Sequence, residues 1–311
     1  MDNKTKITVL IPTYNVANII EQCIESAKWA DEILVVDSFS TDNTLEIAER
    51  MGARILQHEY IYSAKQKNWS IPQANNDWIL LLDSDEVITE ELKNEILKFA
   101  QSGEMEKYDG FGIARQHIFL GKFLRWGGRY PLYNIRLFRK TCRYEDRDVH
   151  AHIVLHKDRV KLLKGDIIHY SDPTLDHFFK KFNRYTTYQA NYMMKFLHSE
   201  NKKIEWNKFF NHYIYAKSIV KDYWYFLPFV PFLRFFYMYI VRLGFLDGKM
   251  GFLIAVLYSF QDYVSKTKYL ELRGRHPSFR ILAQKLVINF LPKGNNNYIA
   301  DRIAKEELVK I

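Results

Sequence analysis

The sequence predicts an α/β fold: a Rossmann-like, mostly parallel sheet flanked by helices, with a helical, aromatic-rich and basic region behind it. Three observations predict it. Short apolar runs of strand length alternate with segments of helical periodicity through the first third of the chain. The run Trp78-Ile-Leu-Leu-Leu82 is apolar at every position, as a central parallel strand is, and it stops abruptly at Asp83, Asp85 and Glu86. From about Phe178 onward the pattern turns helical and dense in Phe and Tyr.

Taken in order, Ile7–Ile11 reads as a first strand closed by Pro12, and Ala17–Ala30 as an amphipathic helix with Ile19, Ile20, Cys23, Ile24 and Ala27 on one face. Ile33–Val36 is a second buried strand ending in Asp37. Capping residues Ser40 to Thr44 open the next helix, which Gly52 stops after Met51. Arg54–Gln57 is a third strand, and a helix follows near Ser63–Ala74, limited by Pro72. Trp78–Leu82 is the fourth strand and Thr89–Gln101 a further amphipathic helix. This β-α-β-α-β-α-β alternation demands parallel strands joined by right-handed crossovers. Beyond it, Asp109–Arg115 and Asn134–Arg139 read as strands, the second alternating polar with apolar residues. The expected division is an α/β domain over 1–195, with a nucleotide-binding half of about 1–105 and a second half of about 106–195, followed by a helical region over 196–311.

Composition limits the function classes. The 311 residues are 48% hydrophobic, enough for one large or two modest cores. The two cysteines, Cys23 and Cys142, lie far apart and in no metal-type spacing, which argues against a disulfide framework and for a reducing cytoplasm. No signal peptide is recognisable at the start. The net charge of +9 is uneven: residues 1–200 hold 27 Lys/Arg against 28 Asp/Glu, whereas residues 201–311 hold 18 against 8. A basic excess confined to one third points to an anionic partner, a membrane surface or nucleic acid.

The acids after the fourth strand carry the chemistry. In open α/β sheets ligands bind beyond the carboxyl ends of the strands. Two carboxylates one residue apart at that place, Asp83 and Asp85, suit a hard cation such as Mg2+ or Mn2+ completed by substrate phosphates. The plainer reading is a polar turn whose acids favour a helix N-terminus. No G-x-G-x-x-G follows the first strand and no P-loop occurs, so nicotinamide and ATP-hydrolysis readings lose support. A nucleotide could still bind through backbone groups, Asp37 and a metal on Asp83 and Asp85.

Three ordered motifs, Val9-Leu-Ile-Pro-Thr-Tyr-Asn15, Val35-Val-Asp-Ser-Phe-Ser-Thr-Asp-Asn-Thr44 and Leu81-Leu-Asp-Ser-Asp-Glu86, resemble those of the family 2 glycosyltransferases, which have a GT-A fold. The resemblance implies that the turn Pro12-Thr13-Tyr14-Asn15 lies against the nucleoside and that Asp37 accepts hydrogen bonds from the uracil edge. It places Lys65 near the base or diphosphate, Asp83 with the adjoining Ser84 at the ribose or metal, and Asp85 as principal metal ligand.

The densest titratable cluster follows, from Arg143 through Glu145, Asp146 and Asp148 to His150 and His152. An inverting transfer needs a base on the acceptor hydroxyl, opposite the departing diphosphate. Family 2 enzymes usually carry an acidic pair here, so Asp146 is the expected base, with Glu145 and Asp148 as rivals; a solvated charged loop is the bland reading. His150 is the histidine most expected to complete a metal site, with His152 and His169 as further candidates. Tyr130 to Arg139, Val149-His150, Ile168-His-Tyr-Ser171 and Lys181-Phe-Asn-Arg-Tyr185 are similar to the subgroup that includes the lipopolysaccharide inner-core β-1,4-glucosyltransferases, although Ala151 stands where that subgroup often has an acid.

In the last third, the stretch Phe226–Arg242 and Met250–Tyr258 are aromatic and apolar, but charged residues interrupt both before they reach spanning length. Aromatic and basic residues together suit a helix in the headgroup region of an anionic membrane; packing on the catalytic domain is the compatible alternative. The expectation is therefore a hexosyltransferase that moves glucose from a UDP-sugar with Mg2+ or Mn2+ to a lipid-linked or polysaccharide acceptor. It would be cytoplasmic and attached to the inner face of the cell membrane. A nucleotidyltransferase on a related sheet and a nucleic-acid-binding protein are the rivals. Against nucleic acid, the aromatics cluster in apolar segments and are not interleaved with Arg and Lys on a strand face.

Overall fold

A computed structural model describes residues 5–146, 152–155, 159–198, 224 and 229–274 of the chain. Four strands, β1 (Ile7–Thr13), β2 (Glu32–Asp37), β3 (Arg54–Gln57) and β4 (Trp78–Leu81), run parallel, joined through α1 (Ile20–Ala27), α2 (Thr44–Arg50) and α3 (Ser63–Ser70). The crossover order is thus as expected, with the helices and β4 shorter and β1 and β2 longer than read: Pro12, expected to close β1, lies within it opposite Val36, because on the parallel ladder its missing N–H leaves the pairing with β2 intact. α1 starts three residues later than read, and the backbone N–H groups of Val16 and Ala17 ahead of it donate to Thr44 Oγ1 (2.9 Å) and Asp42 Oδ2 (3.1 Å). α3 gives way at Ile71–Gln73 to a 3-10 turn that accommodates Pro72.

Five strands were not foreseen, three of them only two residues long. β5 (Glu86–Ile88) follows β4 directly, before α4 (Glu90–Ser102), and β11 (Val160–Asp172) closes the sheet. Between them lie β6 (Gly110–Phe119), β7 (Lys122–Phe123), β8 (Tyr133–Arg139) and a small hairpin of β9 (Arg143–Tyr144) and β10 (Ile153–Val154). Among the described residues the main sheet has nine strands, in the order β3-β2-β1-β4-β8-β6-β11-β5, with β7 paired to β6. β8 is antiparallel to both β4 and β6, so β4 and β6 point the same way, and β11 runs parallel to β6. The carboxyl ends of β1, β2, β4, β6 and β11 therefore share one edge.

Strand alternation divides the core. Val9, Ile11, Val35, Leu80 and Leu82 face one layer with Ile20, Cys23, Ile24, Leu92 and Ile96 of α1 and α4; Leu10, Leu34, Val36, Ile79, Leu81 and Phe138 face the other, with Ile71. α4 is capped at its start by Thr89 Oγ1, which accepts from Leu92 N at 3.2 Å, and ends at Gly103 with φ 69°. Gly165 in β11 lies so close to α4 that a Cβ there would sit 2.3 Å from Leu92 Cα.

The chain divides into two compact units, residues 1–178 with 237–255, and residues 179–236 with 256–311. In the second, the described residues come mainly from α5 (Leu175–His198) beyond Phe178, from α6 (Val230–Phe236) and from α7 (Gly248–Leu272) beyond Ala255. Phe182 stacks on Phe260 (5.6 Å), Ala190 and Met193 bury against Tyr269, and Asp262 accepts from Arg234 Nε (2.8 Å) and Trp224 Nε1 (3.1 Å). Among the described residues no helix is long and apolar enough to cross a membrane.

Candidate active site

The acids after β4 sit in a turn that closes on itself. Glu86 N donates to Asp83 O (2.9 Å), and Asp83 N donates to Glu86 Oε2 (3.0 Å). Arg136, at the centre of β8 beside β4 and nearly buried, points one nitrogen at both acids: Nη2 is 2.7 Å from Asp83 Oδ2 and 2.6 Å from Glu86 Oε1. Arg115 of β6 adds a contact to Glu86 Oε1 at 3.3 Å. Burial would raise the Asp83 carboxyl, but Arg136 and Lys67 outweigh it and hold Asp83 well below the usual carboxylate range. Glu86 is fully buried; burial pushes its carboxyl up, with Arg136 opposing.

α3 contributes Lys67, whose Nζ lies 3.9 Å from Asp83 Oδ1 and 5.3 Å from the centre of the Tyr144 ring. Burial lowers the Lys67 ammonium below its ordinary value, Asp83 pulling the other way. Lys65 occupies the exposed side of α3, with Nζ 5.5 Å from the Tyr62 ring. Helical periodicity explains the difference: Lys67 follows the buried Ala64 by three residues and precedes the buried Ser70 by three, whereas Lys65 lies off that stripe.

Asp85 faces β11. Its Oδ2 is 3.2 Å from His169 Nε2, and its carbonyl accepts from Tyr170 N at 2.9 Å. His169 Nδ1 in turn meets His117 Nδ1 at 3.2 Å. Both the Asp85 and His169 side chains are partly exposed, at 26% and 14%. An accessible carboxylate oxygen and an imidazole nitrogen side by side are donors that Mg2+ or Mn2+ accepts, so this pair fits a divalent cation that takes further oxygens from phosphate and water. Asp83, its charge already met by Arg136 and Lys67, is less free to bind one. Among the described residues no three His, Cys, Asp or Glu side chains converge as a metal cluster. His150 lies outside the described residues, as does Asp148.

The first turn carries Thr13, buried, and Tyr14, 61% exposed at the carboxyl end of β1. Asn15 has φ 50°, a left-handed conformation that asparagine tolerates. Its N–H donates to Ser40 Oγ (2.8 Å), and its Oδ1 accepts from Thr41 N (2.8 Å), stitching this turn to the one after β2. Asp37 is fully buried and accepts from Ser40 N (2.8 Å), Ser40 Oγ, Thr13 Oγ1 (3.2 Å) and Gln57 Nε2 (3.4 Å). It thus braces the two turns that carry Tyr14 and Phe39. Pro12 is in β1, and Ser84 sits between the two acids, half-buried.

Glu145 and Asp146 follow β9, and Asn68 of α3 clamps that strand from both sides: Nδ2 donates to Tyr144 O (2.9 Å) and Oδ1 accepts from Tyr144 N (2.8 Å). Glu145 N donates to His152 O at 2.9 Å, and the exposed Asp146 accepts a hydrogen bond from Tyr62 OH. α3 therefore carries both Lys67, beside Asp83, and the clamp on the strand leading to Asp146. The structure brings together Asp83, Asp85, Glu86, Lys67, Arg115, Arg136, His117 and His169. Of these, sequence reasoning overlooked Glu86, Lys67, Arg115, Arg136 and His117 as site residues. The signal for Arg136 was available: a charged residue inside an otherwise strand-like run, beside the strand that ends in acids, needs a buried counter-charge.

A model of the family described as "Glycosyl transferase family 2" matches residues 8–161, from β1 to the first two residues of β11. An uncharacterized glycosyltransferase of Rickettsia typhi is 27% identical over 92% of this chain and 93% of its own length. The lipopolysaccharide core biosynthesis glycosyltransferase LpsC of Rhizobium meliloti is 25% identical over 60% of this chain and 71% of its own. Among solved structures, S. aureus TarS 1–349 in complex with UDP-GlcNAc aligns with 88% of this chain and 93% of its own, at 16% identity and a TM-score of 0.42.

Proposed function

Because this chain belongs to the family 2 glycosyltransferases and is an enzyme of that kind, we propose that it moves a hexose, glucose in our reading, from a UDP-sugar to a hydroxyl of a lipid-linked or lipopolysaccharide-type glycan, with inversion. The observation that carries the reading is the acid turn after β4, with Asp85 next to His169 and Asp83 held ionised by Arg136 and Lys67. The name of the relative LpsC supports the acceptor class.

The turns after β1 and β2 receive the nucleoside, with Tyr14 against the base and Asp37 at the uracil edge or bracing the turn that reads it. Lys65 and Lys67 supply positive charge on the diphosphate side. Asp85, with His169 and His150, would hold the divalent cation, and Asp83 and Ser84 adjoin the ribose. When bound, such a cation offsets charge on the departing diphosphate. The acceptor oxygen bonds to the anomeric carbon as that carbon's bond to UDP breaks and its electron pair leaves with UDP. Asp146, or Glu145 or Asp148 beside it, takes the hydroxyl proton. The enzyme works at the inner face of the cell membrane, attached through its aromatic and basic C-terminal third.

The test is UDP release measured across several UDP-sugars, with Mn2+, Mg2+ or chelator, and lipid extract as acceptor. Wild type should release UDP fastest with one hexose donor and stop under chelation. Asp85→Ala should lower the rate by at least roughly a hundredfold while its circular dichroism and melting stay as in wild type. Full activity in Asp85→Ala would remove the cation role.

A further inference from the structure

A knot of backbone within the first unit turns a set of large apolar side chains outward. Residues 237–241 form a π-helical turn, 244–247 a 3-10 turn, and α7 begins at Gly248. These pieces touch backbone to backbone: a Cβ on Gly244 would lie 2.6 Å from Met238 O, and one on Gly251 would lie 1.8 Å from Gly244 O. Met238 turns inward and is buried, while most of the other large side chains of these pieces face outward. Ile240, Val241, Phe245, Leu246 and Phe252 are each 43–55% exposed, and the Tyr239 ring joins Phe245 (6.2 Å) to Phe252 (5.6 Å).

The knot is fixed to the sheet. Buried Asp247 accepts from Trp126 N (2.9 Å) and Arg125 N (3.3 Å), Lys122 Nζ donates to the Asp247 carbonyl (3.2 Å), and Gly127 N donates to Arg242 O (2.9 Å). The loop it grips leaves the carboxyl end of β6, the sheet edge that also carries Asp83 and Asp85. Lys122, Arg125, Arg242 and Lys249 are exposed around it, and Asp247 is the sole acid in 120–131 and 237–252.

We propose that residues 237–252, with the loop 122–127, are the surface that seats the enzyme on an anionic lipid bilayer, holding the acceptor edge of the sheet against the membrane. Charge complementarity selects this occupant. Half-exposed aromatic and aliphatic side chains ringed by cations, with the one acid turned inward, match a headgroup layer of phosphates over acyl chains. The inference rests on the membrane-attachment part of the reading above and names the residues for it.

The full chain is sedimented with vesicles of phosphatidylcholine alone and of equal parts phosphatidylcholine and phosphatidylglycerol. Wild type should partition onto the mixed vesicles. Phe245→Ser/Leu246→Ser, both exposed positions, should lower that partitioning by roughly tenfold or more with unchanged UDP release on a soluble acceptor. Lys249→Glu should narrow the preference for the mixed vesicles by roughly fivefold. Wild type remaining in solution with both vesicles would overturn the proposal together with membrane attachment. Wild-type partitioning that the double variant retains in full would overturn this surface alone and leave attachment standing. A wild-type dimer that the double variant dissolves, without vesicle binding by either, would assign the face to a second copy of this chain and overturn the proposal.

Discussion

Arg136 decides the electrostatics of the acid turn. It stands within 2.7 Å of two carboxylates, one of them fully buried, and removing it would leave both without their principal counter-charge. Arg136→Met should therefore lower stability by about 3–5 kcal/mol, read as a shift in the urea midpoint with little change in slope. Asp83 and Asp85 were legible in the sequence because three acids end an apolar strand. Arg136 and Lys67 were harder to read. The sequence shows two lysines in Ser63–Asn68, and only the phase of α3 turns Lys67 inward and Lys65 outward. Asp37 was expected to meet the nucleoside; its burial and the four hydrogen bonds it accepts were not legible, since Ser40 and Gln57 reach it through tertiary folding.

Among the elements, the β1–β4 half was readable because each strand is short, apolar and bounded by a helix with its own periodicity. β11 escaped because Lys161, Lys164, Gly165 and Asp166 interrupt its alternation, and its register with β6 shifts between Leu162 and Asp166. A bulge breaks the period of two on which strand recognition depends. The irregularity has a packing cause: Gly165 lets α4 approach to within van der Waals distance of the strand backbone. Gly165→Ala should force the two apart and cost about 1–3 kcal/mol, measurable as a lower melting temperature, and should also reduce activity because His169 rides on the same strand. β5 escaped because three residues are too few for any periodicity to show.

For the whole molecule, acid stability follows from the same turn. The folded Asp83 carboxyl titrates below its unfolded counterpart, so its contribution is fully present above about pH 4 and is lost as pH falls through the folded value. Asp83→Asn should make the unfolding free energy less steep in pH below about 4, as followed by urea titrations across that range; an unchanged slope would remove Asp83 from the acid response. The basic excess of residues 201–311 was plain in the sequence, yet most of those residues lie outside the described part. What the structure adds is that part of it, Arg242 and Lys249, joins Lys122 and Arg125 on one cationic and apolar face of the first unit, assembled from segments more than a hundred residues apart.

The reciprocal hydrogen bonds between Asp83 and Glu86, with β4 in the core on one side and β5 tied to β11 on the other, leave the acid turn almost no slack. Any ligand that binds at this turn, as the proposed reading has a sugar nucleotide do, meets groups already immobilised, so the protein surrenders little conformational entropy there.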